Sequence, residues 1–208
     1  QASALIAGNI RNPWDWYVSL WAFGCMEKGG FYKKAMQKNY WYKGPKKSTQ
    51  IKSIWRRVYA DANDPKLFQE WLRLITKPGY REQIPKDWGK SPLAKYAGLY
   101  TYLYLRLYAK NFKNNQKGLA SYGELKEFAK KNEIPDFYIR NENLAVDFSK
   151  LLEKLKIPPT EQAQLMTILN SKTNVSKRRD YSYYYDQSAR NLVAERDQFI
   201  IDKFGYTY

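Results

Sequence analysis

The segment from residue 3 to about residue 23 constrains the fold most. Ser3-Ala-Leu-Ile-Ala-Gly-Asn-Ile10 is a short apolar run that fits a buried strand. It stops at Arg11-Asn12-Pro13, and Pro13 with Asp15 in the next turn starts a helix. That helix carries Trp14, Trp16, Tyr17, Val18, Leu20, Trp21 and Phe23. Apolar nearly all round, it belongs inside a core rather than on a surface. A buried strand running straight into a buried helix is the opening of an α/β unit with a parallel sheet.

A second such unit lies far downstream. Asp136-Phe-Tyr-Ile-Arg140 reads as a strand, and Phe148, Leu151, Leu152 and Leu155 follow at helical spacing. Between the two units, Asp64-Pro65 opens a one-sided helix that Pro78-Gly79 stops, and Ser91-Pro92 opens a long Tyr/Leu-rich helix to about Tyr108. Ser121 with Glu124 resembles a capping box, and a last helix spans about Asp186 to Phe204 before Gly205. Residues 29 to 57, rich in Lys, Tyr, Trp and Gly, read as an irregular surface segment. Two strands are few for a parallel sheet, so either further strands lie in segments not read as strand or part of the sheet lies outside this chain.

Composition narrows the chemistry. The 208 residues contain no histidine, which removes imidazole bases, His-ligated zinc and haem, and a Ser-His-Asp triad. The single Cys25 makes no internal disulfide, and a reducing, cytoplasmic compartment is the default. No apolar run reaches the ~20 residues of a membrane span. With 7 Trp, 19 Tyr and 9 Phe the chain has the material for a substantial core. Lys plus Arg minus Asp plus Glu is 36 − 20 = +16, which favours an anionic partner. The cations are spread along the chain, so a solvated basic face outweighs a dedicated nucleic-acid stripe.

An arginine at the carboxyl end of a buried strand, beside a helix N-terminus, makes an anion site in the crevice where open α/β sheets bind ligands. Arg11 holds that position, and Ser19 on the following helix adds a hydroxyl donor. A structural role, with Arg11 paired to a core carboxylate and Ser19 a packing residue, is about as well supported by the residues alone.

Arg11-Asn12-Pro13-x-Asp15-x-x-x-Ser19 resembles the 3′-phosphate-binding segment of sulfotransferases that use 3′-phosphoadenosine 5′-phosphosulfate (PAPS). Phe68-Gln-Glu-Trp71-Leu72, Asp136 to Asn143-Leu144 with Asp147-Phe148, and Asn174 to Asp186 running to Phe204-Gly205-Tyr206 are similar to bacterial and carbohydrate-type members, in the same order. The resemblance implies a three-layer, P-loop-like α/β domain with a parallel sheet across residues 1–208. It implies PAPS as sulfuryl donor, no metal, and a hydroxyl-bearing acceptor for which a basic surface mildly favours a glycan. Arg11 and Ser19 would hold the nucleotide 3′-phosphate. Lys177, Arg178 and Arg179 match a basic segment that closes over it, with a solvated basic loop as the even alternative. Arg140 and Glu142 match residues that stabilise the fold.

One departure is plain. Members carry an earlier loop similar to Pro-Lys-Thr/Ser-Gly-Thr-Thr, which cradles the 5′-phosphosulfate and supplies a lysine. Here only Gly44-Pro45-Lys46-Lys47-Ser48-Thr49 approaches it, on the wrong side of the 3′-phosphate segment and without the second glycine. It reads as a basic surface loop. The chain also begins at Gln1, so the expectation is the carboxy-terminal major part of a domain, with the catalytic residues unassigned. Two alternatives stay open: a basic, aromatic-rich nucleic-acid or polyanion-binding module, and a sulfotransferase-like nucleotide binder without catalysis.

Overall fold

The computed structural model describes residues 4–36, 45–83, 85–169 and 178–208. The chain is helix-rich around a small parallel sheet. Strand β1 (Ala7–Ile10) leads into α1 (Pro13–Cys25), α2 (Gly29–Met36), α3 (Pro45–Val58) and α4 (Pro65–Thr76). Three short 3-10 turns precede α5 (Leu99–Tyr108), α6 (Phe112–Asn115) and α7 (Tyr122–Asn132). Strand β2 (Phe137–Arg140) is followed by α8 (Leu144–Lys154), α9 (Pro159–Leu169), α10 (Gln187–Arg196) and α11 (Gln198–Phe204). Among the described residues, no helix is long and apolar enough to cross a membrane.

β1 and β2 pair in parallel, Ala7 opposite Phe137 and Ile10 opposite Arg140. The other edge of β1 is met by tyrosines of α5. The Asn9 amide donates to the Tyr108 hydroxyl at 2.9 Å, which returns a bond to the Asn9 carbonyl at 2.9 Å. The Arg11 amide donates to the Tyr100 hydroxyl at 2.8 Å. Two phenols one face apart thus satisfy the backbone groups that a further strand would otherwise take.

No residue of α1 is fully exposed, in keeping with its all-round apolar sequence. Asn12 caps it, its Oδ1 accepting from the Trp14 and Asp15 amides, and Pro13 takes the first helical position. Trp21 on α1 and Trp71 on α4 are fully buried, and their indole N–H groups donate to the Val58 carbonyl at 2.6 Å and the Tyr59 hydroxyl at 2.7 Å. The capping box at Ser121 and Glu124 forms as the sequence suggests.

Four expectations are corrected. Residues 29–36 and 45–58 are helices rather than irregular chain, because Phe31, Tyr32, Ile54, Trp55 and Val58 pack on the core. Pro45 to Thr49 therefore starts α3 and is not a loop; Gly44 lies outside the described residues. The helix expected from Ser91 is a 3-10 turn (Pro92–Lys95) and a break at Gly98 before α5. The last helix is divided at Asp197. These two breaks have one cause: Asp197 is fully buried, accepting from the Tyr17 hydroxyl at 2.7 Å and from the Thr101 amide and hydroxyl at 2.8 Å each. A Cβ on Gly98 would lie 2.2 Å from its carboxylate, so only glycine permits this approach.

Candidate functional site

The carboxyl end of β1 and the first turns of α1 hold a cluster of four side chains. Asp15 and Ser19 are one turn apart on the same face of α1, and Arg11, just past β1, folds back over that face. Arg11 Nε donates to Asp15 Oδ2 at 2.5 Å and Arg11 Nη1 donates to the Ser19 hydroxyl at 3.1 Å. From the far end of the chain, Arg178 Nη2 donates to the other Asp15 oxygen, Oδ1. The three charged side chains are only 24%, 15% and 13% exposed for Arg11, Asp15 and Arg178. Two guanidinium groups on one carboxylate leave the cluster at +1, with Arg11 Nη2 unpaired among the described residues.

Each member is braced by a neighbour. The Asn12 amide donates to Glu142 Oε1, and Asn12 Nδ2 donates to the Thr207 carbonyl at 3.1 Å, so the chain end is tied to the start of α1. Arg178 Nη1 donates to the Arg179 carbonyl at 3.1 Å. The Arg179 amide donates to the buried Tyr184 hydroxyl at 3.1 Å, which donates in turn to the Ala62 carbonyl at 2.8 Å. Tyr184 therefore fixes the height at which Arg178 enters the cluster.

The expected site residues separate into three groups. Arg11, Ser19 and Arg178 come together. The Arg179 guanidinium instead lies over the exposed Tyr183 ring, 4.4 Å from its centroid. Lys177 lies outside the described residues. The helix N-terminus contributes less than the sequence argument assumed, because Asn12 already takes the Trp14 and Asp15 amides. Guanidinium groups and a hydroxyl, rather than backbone amides, are the donors available to an anion.

The Arg11–Asp15 pair is the carboxylate pairing that the structural alternative for Arg11 expected, and the i, i+4, i+8 series of Arg11, Asp15 and Ser19 identifies the partner. Tyr184 is the member that sequence reasoning missed. Nothing in the sequence indicates Tyr184 among four neighbouring tyrosines.

Aromatic side chains floor this region. The Tyr185 hydroxyl donates to the Trp14 carbonyl at 2.9 Å, Tyr208 packs edge-on to Trp14 at 5.6 Å, and Arg190 lies 4.1 Å from the Tyr208 centroid. Burial raises the phenols of Tyr181, Tyr185 and Tyr208, so these rings stay neutral. Among the described residues of the cluster, Glu142 Oε1 accepts from the Asn12 amide and Asp15 accepts from two arginines. Among the described residues, no group of three or more acidic or cysteine side chains is placed to hold a metal. Compared with protein-family models, curated proteins and solved structures, the chain has no match.

Proposed function

We propose that this chain carries the nucleotide 3′-phosphate site of a PAPS-dependent sulfotransferase with a three-layer, P-loop-like α/β domain. The observation that carries the proposal is the meeting of Arg11, Ser19 and Arg178 around Asp15, at the carboxyl end of a parallel strand. Ligands of open α/β sheets bind there, and a phosphate is a good partner for two guanidinium forks and a hydroxyl. Asp15 holds both forks apart and oriented before the anion arrives, so little ordering remains to be done on binding.

In the reaction, an acceptor hydroxyl oxygen forms a bond to sulfur while the bond from sulfur to the 5′-phosphate oxygen breaks. The hydroxyl proton goes to a base, and adenosine 3′,5′-bisphosphate leaves. Arg11, Ser19 and Arg178 position the donor through its 3′-phosphate and take no proton. The proposal assigns neither the base nor the phosphosulfate cradle to a residue of this chain. A glycan hydroxyl is the favoured acceptor, on the mild ground of a +16 chain. A reducing, cytoplasmic setting agrees with one free cysteine whose thiol burial pushes up to about 12.

The nucleic-acid reading has less behind it, because Trp21, Trp55, Trp71 and Trp88 are fully buried and offer no faces for bases. The second alternative is a nucleotide binder without catalysis. Incubation with PAPS and a mixed glycan acceptor separates it from the enzyme, since only the enzyme releases the bisphosphate. For the site itself, S19A and R178A should each weaken binding of adenosine 3′,5′-bisphosphate by about ten-fold. Unchanged affinity in both variants contradicts the assignment.

A further inference from the structure

A cleft of about 410 Å³ opens at the other end of α1, lined among the described residues by Cys25, Glu27, Tyr32, Met36, Lys52, Arg56 and Tyr59. It is distinct from the Arg11 cluster, since twelve residues from Pro13 to Cys25 are about 18 Å of helix. Its volume falls within the range of small-molecule sites. Its chemistry is specific in three respects.

First, Lys52 and Arg56 stand one turn apart on α3, and neither forms an ion pair among the described residues. Like charges at that spacing repel, and an intervening anion relieves the repulsion. Secondly, the acidic group on the rim is already engaged, because Glu27 Oε1 accepts from the Tyr32 hydroxyl at 3.0 Å. Glu27 has a left-handed backbone, φ 59°, at the turn between α1 and α2. Asp61, near Cys25, has its Oδ1 taken by the Asn63 amide at 2.8 Å. Among the described residues the lining therefore carries 2 − 1 = +1, with neither cation in an ion pair. Thirdly, Tyr32 and Tyr59 meet edge to face at 5.5 Å and join Met36 as an apolar wall. Burial raises the thiol of Cys25, which leaves it a neutral packing group.

We infer that this cleft binds a ring-bearing organic monoanion, a carboxylate or sulfate ester on a sugar or aryl ring, with the anion on Lys52 and Arg56 and the ring against Tyr32, Tyr59 and Met36. The inference stands independently of the sulfotransferase reading. The test is titration of the whole chain with D-glucuronate and with 4-nitrophenyl sulfate, followed by amide NMR. One or both probes should saturate and shift the amides of Cys25, Tyr32 and Met36. Saturation by glucuronate assigns a sugar acid, and by nitrophenyl sulfate a sulfate ester. The K52Q/R56Q variant should weaken binding by about ten-fold or more. R57Q should leave it unchanged, because Arg57 pairs with Glu70 outside the cleft. Adenosine 3′,5′-bisphosphate binding should be the same in all three proteins. Absence of saturation by both probes, shifts elsewhere, equal binding of inorganic sulfate, or undiminished binding by K52Q/R56Q overturns the inference.

Discussion

The Arg11 guanidinium donates to the Ser19 hydroxyl at 3.1 Å across eight residues of chain, and Asp15, midway between them in sequence, holds the same guanidinium by its Nε. A carboxylate inside a proposed phosphate site looks like a contradiction. Its geometry resolves it: Asp15 spends one oxygen on Arg11 and the other on Arg178, so it sets where two cations stand while neutralising only one.

This makes opposite predictions for charge and for position. If net charge alone governed anion binding, D15N would tighten it. Because Asp15 orients both guanidinium groups, D15N should instead weaken adenosine 3′,5′-bisphosphate by roughly ten-fold, the value of one charge-assisted bond. Isothermal calorimetry at fixed salt reads the sign directly, and tighter binding by D15N refutes the positioning role.

The buried Asp197 has a pH signature. Burial raises its carboxyl above the ordinary 3.8, outweighing the hydrogen bonds from Tyr17 and Thr101 that lower it. A group raised on folding contributes stability that is full below its unfolded value and lost as pH rises through the folded one. The stability of the native chain relative to D197N should therefore fall as pH rises above the ordinary 3.8. Urea unfolding at a series of pH values checks this, and a difference that grows with pH contradicts it.

Glu133 should behave in the opposite sense. Burial works to raise its carboxyl, but hydrogen bonds from Lys203, Tyr104 and Tyr138 outweigh burial and hold it below the ordinary 4.5. Its contribution is full above that value and lost as pH falls through the lowered one. The advantage of the native chain over E133Q should shrink on acidification below about pH 4.5. A thermal melt series showing a constant gap between the two proteins denies this linkage.

Gly98→Ala tests the junction where the expected long helix breaks. The added Cβ would stand 2.2 Å from Asp197 Oδ2 and displace a carboxylate that three donors share. The loss should be about 2–4 kcal/mol, as for overpacking combined with a disturbed buried polar group. Gly123→Ala, with nothing within 4 Å of its Cβ, is the control and should cost no stability. Denaturant midpoints that move equally in both variants would remove the explanation for the break.

These junctions show what was legible in the sequence. The helix start at Pro13, the caps at Asp64 and Ser121, and the stop at Gly205 depend on neighbours within four residues, and each appears as the residues suggest. The division of α10 from α11 and the late start of α5 depend on Asp197 meeting Thr101, a contact between residues 96 apart that local patterning does not carry. The same distinction holds at the site. Arg11 and Ser19 could be paired by spacing, whereas the entry of Arg178 depends on Tyr184 reaching Ala62 across the fold. α2 and α3 were obscured by their basic residues, Lys33 and Lys34 in the one and Arg56 and Arg57 in the other, which hide the core-packing Phe31, Tyr32, Ile54 and Trp55.

The central claim is recognition of a nucleotide 3′-phosphate by Arg11. Calorimetric titration of the chain with adenosine 3′,5′-bisphosphate and with adenosine 5′-monophosphate isolates that one group. The account predicts tighter binding of the bisphosphate, on the order of a hundred-fold for two charge-assisted hydrogen bonds, and loss of the preference in R11A. Equal affinity for the two nucleotides, or a preference that R11A leaves intact, would contradict it.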